Sequence, residues 1–588
     1  MRRLFVTIAA TVLLLGSATT ATAAPSPLMQ YARDTWKSMV AMTDPATGLV
    51  ADNIPGDLST GSTYTSPTNI GGYLWSAVVA RDLGIISPAA ARRKIKLTLD
   101  TLAGLRHHTP SGMYYNWYAP ADGSVVTTWP EDGSTVTPFL SSVDNGWLAA
   151  ALHVVEGAVP SLRGEAAAIV DKMDFGYFYN PDATTAAGNK GLIAGGFWDT
   201  APPGCSLPRN GVWFTCNHYD ITVTEPRIAT YLGIGAGQIP ATAYYTTMRT
   251  LPDSCDYSWQ EMQPQGPTTT INGVPVYEGS YRYRGITFVP SWGGDMFEAL
   301  MPDLFVPEEQ WGPTSWGRNH PATVAAQIEH GLSDAKYGYW GFSPASNPFG
   351  GYTAWGVDAM GMDTDGYPSD VQGGKYDAGF GDCRPAGPPA VYGDGVVTPH
   401  ASFLALPYAP GPVLTNLAKI KNNFDAYGPG GFYDAIAVRT GTVAKRYLSL
   451  DQAMIMGAIG NHLAHNDLKR AFVTPAFERA IRPLLARETF NIPAGQRLPQ
   501  LTGRPVAGSS AALRGSVSES AAVSPGSVSG SAAVLPGSVS GSAAVLPGSV
   551  SGSGAVLPGS ASGSPAMLPR TASGSIAGSA SAPAGGRS

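Results

Sequence analysis

The sequence predicts an all-α fold in which helix pairs close into an α/α barrel fringed by long irregular rim loops. Three observations predict it. Apolar residues recur at helical spacing in segment after segment between residues 25 and 500. Ser-Pro pairs mark helix starts at Ser66-Pro67 and Ser87-Pro88. No stretch shows the strand alternation that a large sheet requires. A helical solenoid is the rival, but no repeat of about 30–50 residues is visible.

In chain order, residues 1–24 read as an export signal. Arg2 and Arg3 precede an apolar run from Leu4 to Leu15, and Ala21-Thr22-Ala23 supplies small residues for cleavage. The run is too short to span a bilayer comfortably. The expected mature protein is therefore extracellular and not held in a membrane. Helices are expected near 28–42, from Ser66 to Gly84, and from Ser87 through Leu102. Ile70, Tyr73, Leu74, Ala77 and Val78 share one face of the second, and Ala91, Ile95, Thr98, Leu99 and Leu102 one face of the third. More are expected near 138–155, 224–235, 291–301, 320–332, 411–422, 448–464 and 467–484, with short strands in Gly273 to Thr287. The Gly- and Trp-rich loops 184–222, 255–290 and 336–397 exceed ordinary connectors and are expected to build a cleft rim.

Residues 501–588 collapse to Gly, Ser, Ala, Val, Leu and Pro. Gly526, Gly537 and Gly548 open successive repeats, and Pro525, Pro536, Pro547 and Pro558 recur in step. A proline in every repeat forbids a helix, so this segment is expected to be a disordered tether, with cell-wall contact its one suggested role. Four cysteines in an exported chain imply two disulfides, with Cys205–Cys216 the favoured local bridge and Cys255–Cys383 then joining distant loops. Neither metal-ligand spacing nor a cofactor motif occurs, and Asp363-Thr364-Asp365-Gly366 lacks the terminal Glu of a calcium loop. No metal or cofactor is therefore expected. Net charge is −6 and charged residues are 14%, with no basic run, which disfavours a nucleic-acid partner. A monomer is expected. Aromatic residues are 10%, including 13 Trp and 26 Tyr, which suits a carbohydrate partner and large core residues equally.

Glycosidic hydrolysis needs a proton donor and a second carboxylate. Glu225, in Thr224-Glu225-Pro226-Arg227-Ile228, is the expected catalytic acid, in the first turn of an apolar helix. The helix dipole lowers its pKa, so burial or a neighbouring carboxylate has to outweigh it, and Arg227 has to point away. Asp144, in Val143-Asp144-Asn145-Gly146-Trp147, is the second candidate. Asp199, Asp295, Glu298 and Asp358 are candidate sugar-hydroxyl ligands, and Trp117, Trp198, Trp292 and Trp340 candidate stacking platforms. Each has a bland counterpart, a helix cap or a packed core ring.

Several stretches taken together resemble the bacterial glucoamylase-like family, which includes endo-β-1,2-glucanases and the transglycosylase domain of cyclic β-1,2-glucan synthases. They include Tyr64 to Gly71, Ala80 to Gly84, Met113 to Tyr118, Val143 to Gly146, Thr224 to Tyr231, Ser291 to Pro302, Thr398 to Leu406, Gly431 to Asp434 and Tyr447 to Gln452. The resemblance implies an (α/α)6 barrel over residues 25–500 that acts on a β-linked glucan, with Glu225 matching a catalytic glutamate. It also shows a departure. Synthase-type relatives carry a glutamate where this chain has Pro344, in Trp340-Gly341-Phe342-Ser343-Pro344. The expectation is a hydrolase, inverting, with Asp144 as the second carboxylate. The alternatives are a glycan-binding protein without turnover, and another glycosidase or a lyase of the same barrel class.

Overall fold

The computed structural model describes residues 26–255, 262–362, 383 and 392–502. The expected export signal, the Asp363-Thr364-Asp365-Gly366 turn and nearly all of the repeat tail lie outside them.

The described chain is mainly helical. Helices α1 (Pro27–Met42), α2 (Pro67–Asp82), α3 (Pro88–Gly104) and α4 (Ser142–Ala158) start where the sequence predicts, within a few residues. Ser66 and Ser87 accept the backbone N–H of Asn69 and Ala90 and so cap α2 and α3, each with proline at the first helical position. Next come α5 (Arg163–Val170), α6 (Arg227–Gly235), α7 (Ala243–Thr246), α8 (Met296–Leu300), α9 (Glu308–Trp311) and α10 (Trp316–Glu329). The last five are α11 (Pro399–Leu404), α12 (Pro410–Asn423), α13 (Ser449–Leu463), α14 (Asp467–Phe472) and α15 (Pro475–Arg487). The single helix expected over 467–484 is two, because Pro475 starts a new one capped by Thr474.

Burial sorts the helices into two kinds. In α2, α4 and α13 nearly every side chain is buried on all sides. In α3, α12 and α15 burial follows one stripe, as in Ala91, Ile95, Thr98, Leu99 and Leu102 of α3. The first kind forms an inner layer and the second covers it: α2 packs on α4 and α13, and α3 packs on α2. Glycines set the inner spacing. A Cβ on Gly71 of α2 would lie 2.9 Å from the Trp147 carbonyl of α4, and one on Gly146 would lie 3.2 Å from Ile228 Cγ2 of α6.

The largest sheet among the described residues has four short strands, Phe139–Ser141, Gly196–Trp198, Val212–Thr215 and Ser206–Arg209, in that order. The predicted strands near Gly273 to Thr287 are two hairpins, Thr268–Ile271 with Val274–Tyr277 and Tyr281–Tyr283 with Ile286–Phe288. Cys205–Cys216 and Cys255–Cys383 are bonded as expected. No described helix is long and apolar enough to cross a membrane.

Candidate functional site

Six helix starts are linked in a closed circuit, directly or through the intervening residues Asp52 and Gly341-Phe342. Ser449 N–H, at the start of α13, donates to the Asp52 carbonyl (2.8 Å), and Asn69 of α2 donates to the Asp52 carboxylate (2.8 Å). Thr68 of α2 donates to Asp144 of α4 (2.6 Å). Trp147 Nε1 of α4 donates to Glu225 Oε2, before α6 (2.6 Å), and Glu225 N–H donates to Glu298 Oε2 of α8 (2.7 Å). Met296 N–H of α8 donates to the Phe342 carbonyl, and Thr398 N–H, before α11, to the Gly341 carbonyl. His400 Nδ1 of α11 lies 3.4 Å from Asp451 Oδ2 of α13, which closes the circuit. Helix N-termini converging on one place gather the polar residues that first turns favour.

Glu225 sits here, fully buried. It is not in the first helical turn as expected. It occupies the bend just before α6, whose N-cap is Pro226, because proline fits the start of a helix. Arg227 does turn away. Its guanidinium pairs with Glu308 through Nε (2.7 Å) and Nη2 (2.9 Å), and Nη1 donates to the Thr224 and Glu298 carbonyls. Burial, and then the charge of Glu298, raise the Glu225 pKa well above the usual carboxylate range. Asp144 and Asp295 add to this, and the Trp147 hydrogen bond opposes it. Glu225 Oε1 has no hydrogen-bond partner among the described residues. The dipole tension raised by the sequence is thus resolved in favour of burial and like charge.

Three of the other predicted residues join Glu225. Asp144 lies in the first turn of α4, capped by Ser141, one turn before Trp147 on the same face. Asp295 caps α8 by accepting the Glu298 N–H (2.9 Å). Burial raises Glu298 to about 7, against hydrogen bonds from Thr224 Oγ1 (2.6 Å) and the Glu225 N–H. Half-buried Tyr219 feels the same cluster: burial and then Glu225, Asp144 and Glu298 push its phenol well up.

Among the described residues, the remaining predicted ones make no hydrogen bond to Glu225, although Trp292 N–H donates to the Val223 carbonyl two residues before it (3.1 Å). Half-buried Asp199 follows the strand Gly196–Trp198, accepts the Tyr115 hydroxyl and lies 3.8 Å from Arg106. Asp358 opens a turn whose flanks, Val357 and Met362, are bonded to the Gly294 and Trp292 carbonyls. Trp198 and Trp340 are each 1% exposed, buried as deeply as Glu225 itself. Trp117, packed edge-on to Tyr64 and Trp129, and Trp292 are also buried, with slightly more exposure.

Sequence reasoning assigned no role to a second acidic group on the far arc of the circuit. Asp434 and Asp451 are buried beside His400, with buried Asp52 near Asp451, and Asp434 Oδ2 accepts the Ser346 N–H (2.6 Å). Burial comes first, and then Asp434, in raising Asp451 well above its usual value. His400, Asp434 and Asp451 were inside stretches that carried the family resemblance, which was the available signal; Asp52 had none. Ligand atoms of His400, Asp434 and Asp451 lie within 4.8 Å of one another, as do those of Asp303, Glu308 and His320. The latter three are already engaged: Glu308 by Arg227 and by His320 Nε2 (3.0 Å), and Asp303 by Lys469. The former is a set that could ligate a divalent cation.

Residues 274–473 match the family model described as "Putative glucoamylase", and residues 30–187 a family of unknown function, DUF3131. A cyclic β-(1,2)-glucan synthase, NdvB, of Rhizobium meliloti (strain 1021) is 26% identical over 399 residues. That match takes in 64% of this chain but only 11% of the relative's length. Among solved structures, an endo-β-1,2-glucanase from Chitinophaga pinensis, complexed with sophorotriose and glucose, superposes with a TM-score of 0.53 at 14% identity. The superposition covers 78% of this chain and 97% of that one. An endo-β-1,2-glucanase from Talaromyces funiculosus with sophorose gives 0.52 at 14%, covering 80% and 92%. These likenesses show a shared fold.

Proposed function

We propose that this chain, a member of the glucoamylase-like family over residues 274–473, is an exported inverting endo-β-1,2-glucanase. The closed circuit of six helix starts supports an (α/α)6 barrel with its cleft at that end. The observation that carries the proposal is Glu225. It is a buried carboxyl with one oxygen held by Trp147 and the other without a partner among the described residues, and burial and the carboxylates around it raise its pKa. That is the environment a general acid needs at neutral pH. The substrate assignment draws on relatives named for β-1,2-glucan. Proline at 344 supports hydrolysis over the synthase route.

Asp144 is the second carboxylate, beside Glu225, as base or as holder of the attacking water. A second reading has its own observation. An inverting enzyme flanks the sugar with carboxyls roughly 6.5–9.5 Å apart, and Asp434 and Asp451 occupy the arc of the circuit away from Glu225. Glu225→Gln should abolish reducing-sugar release from β-1,2-glucan while the fold persists; near-wild-type release overturns the acid assignment. Of Asp144→Asn and Asp451→Asn, the one that lowers kcat about 10²–10⁴-fold identifies the base. Proton NMR of the first products should show the α-anomer.

A further inference from the structure

We infer that Glu298 is a positioning residue for Glu225, anchoring its backbone amide and facing its side chain with a buried negative charge. This rests on the reading of Glu225 as general acid. One oxygen, Oε2, accepts both the Glu225 N–H (2.7 Å) and the Thr224 hydroxyl (2.6 Å), so a single carboxylate fixes the bend that carries the acid. Glu298 is itself held. Its N–H is bound by Asp295, and its carbonyl accepts from Arg227 Nη1 (2.8 Å). Arg227 offsets part of the Glu298 charge, but its guanidinium pairs with the Glu308 carboxylate and not with that of Glu298 or Glu225.

The groups that face Glu225 are Asp144 from α4, Asp295 and Glu298 from α8, and Tyr219 from the strand His218–Tyr219. The named charges are all negative or potentially so. Glu298 alone among them also bonds the Glu225 backbone. A glutamine at 298 would keep the acceptor and lose the charge. An aspartate would keep the charge and draw the acceptor back by one methylene. The two contributions are therefore separable.

The test is kcat and kcat/KM against pH on β-1,2-glucan, for the full chain and for Glu298→Gln and Glu298→Asp. In Glu298→Gln the alkaline limb should move down by about one pH unit. In Glu298→Asp the limb should stay and kcat should fall about tenfold at unchanged KM, since a displaced acid costs rate and not binding. An unmoved limb in folded Glu298→Gln overturns the inference, as does wild-type kcat in Glu298→Asp. The second criterion stands even if the glutamine variant does not fold. An inactive Glu225→Gln beside either result rejects this inference alone; an active Glu225→Gln rejects the acid assignment and this inference with it.

Discussion

Replacing Trp147 by phenylalanine removes one atom's worth of chemistry from the site. The indole N–H lies 2.6 Å from Glu225 Oε2 and lowers the pKa that burial and Glu298 raise. A hydrogen bond to a charged group is worth about 1.5–3 kcal/mol, and the ionised form of Glu225 loses more of it than the neutral form. At 1.36 kcal/mol per pH unit, the alkaline limb of kcat/KM should rise by about one unit. Freeing the carboxyl to rotate should lower kcat about tenfold, a barrier change of about 1.4 kcal/mol. The smaller ring also leaves a void against Phe305 in the core, at roughly 1–2 kcal/mol of stability. The assay is reducing-sugar release from β-1,2-glucan across pH, with a urea melt of the same protein. A limb that stays put or moves down would refute the reasoning. The opposite shift expected for Glu298→Gln makes the pair a test of sign.

Two further outcomes concern stability. Arg227→Met should cost roughly 3–5 kcal/mol in a urea melt, because it leaves Glu308 buried without its guanidinium. Glu308 is held at about 2, with burial opposed first by the Arg227 charge, against an ordinary value of 4.5. Its contribution, on the order of 3 kcal/mol, is present above pH 4.5 and is lost as pH falls towards 2; Arg227→Met should flatten that acid limb. Glu298 has the opposite sign. Its value, raised from 4.5 to about 7, means stability is full below pH 4.5 and is lost as pH rises to 7. Glu298→Gln should therefore gain on wild type in melts above pH 7, and a constant difference from pH 4 to 8 would contradict this.

Helix starts were the most legible feature of the sequence, because capping is local. Ser66-Pro67 and Ser87-Pro88 start helices as written. Asp144 and Glu225 could be singled out for the same reason, as carboxylates at the mouths of apolar helices. Their union could not be read. Trp147 reaching Glu225, and Glu298 reaching its amide, join residues more than 70 positions apart. The tryptophans were ambiguous because stacking platforms and core rings share a composition; Trp340 packs in the hydrophobic core, whereas Trp198 is buried against Phe139. The short strands in 179–219 were missed, since two to six residues of alternation carry little signal. The helix α5 was missed as well; it is only eight residues long.

The most direct measurement compares two substrates on one variant. Glu225→Gln is incubated with linear β-1,2-glucan and with an aryl β-glycoside of a short β-1,2-glucan whose phenol leaves without protonation. If Glu225 supplies the proton, cleavage of the glucan disappears while phenol release stays close to wild type. Equal losses on both substrates, or glucan cleavage near the wild-type rate, would contradict the account.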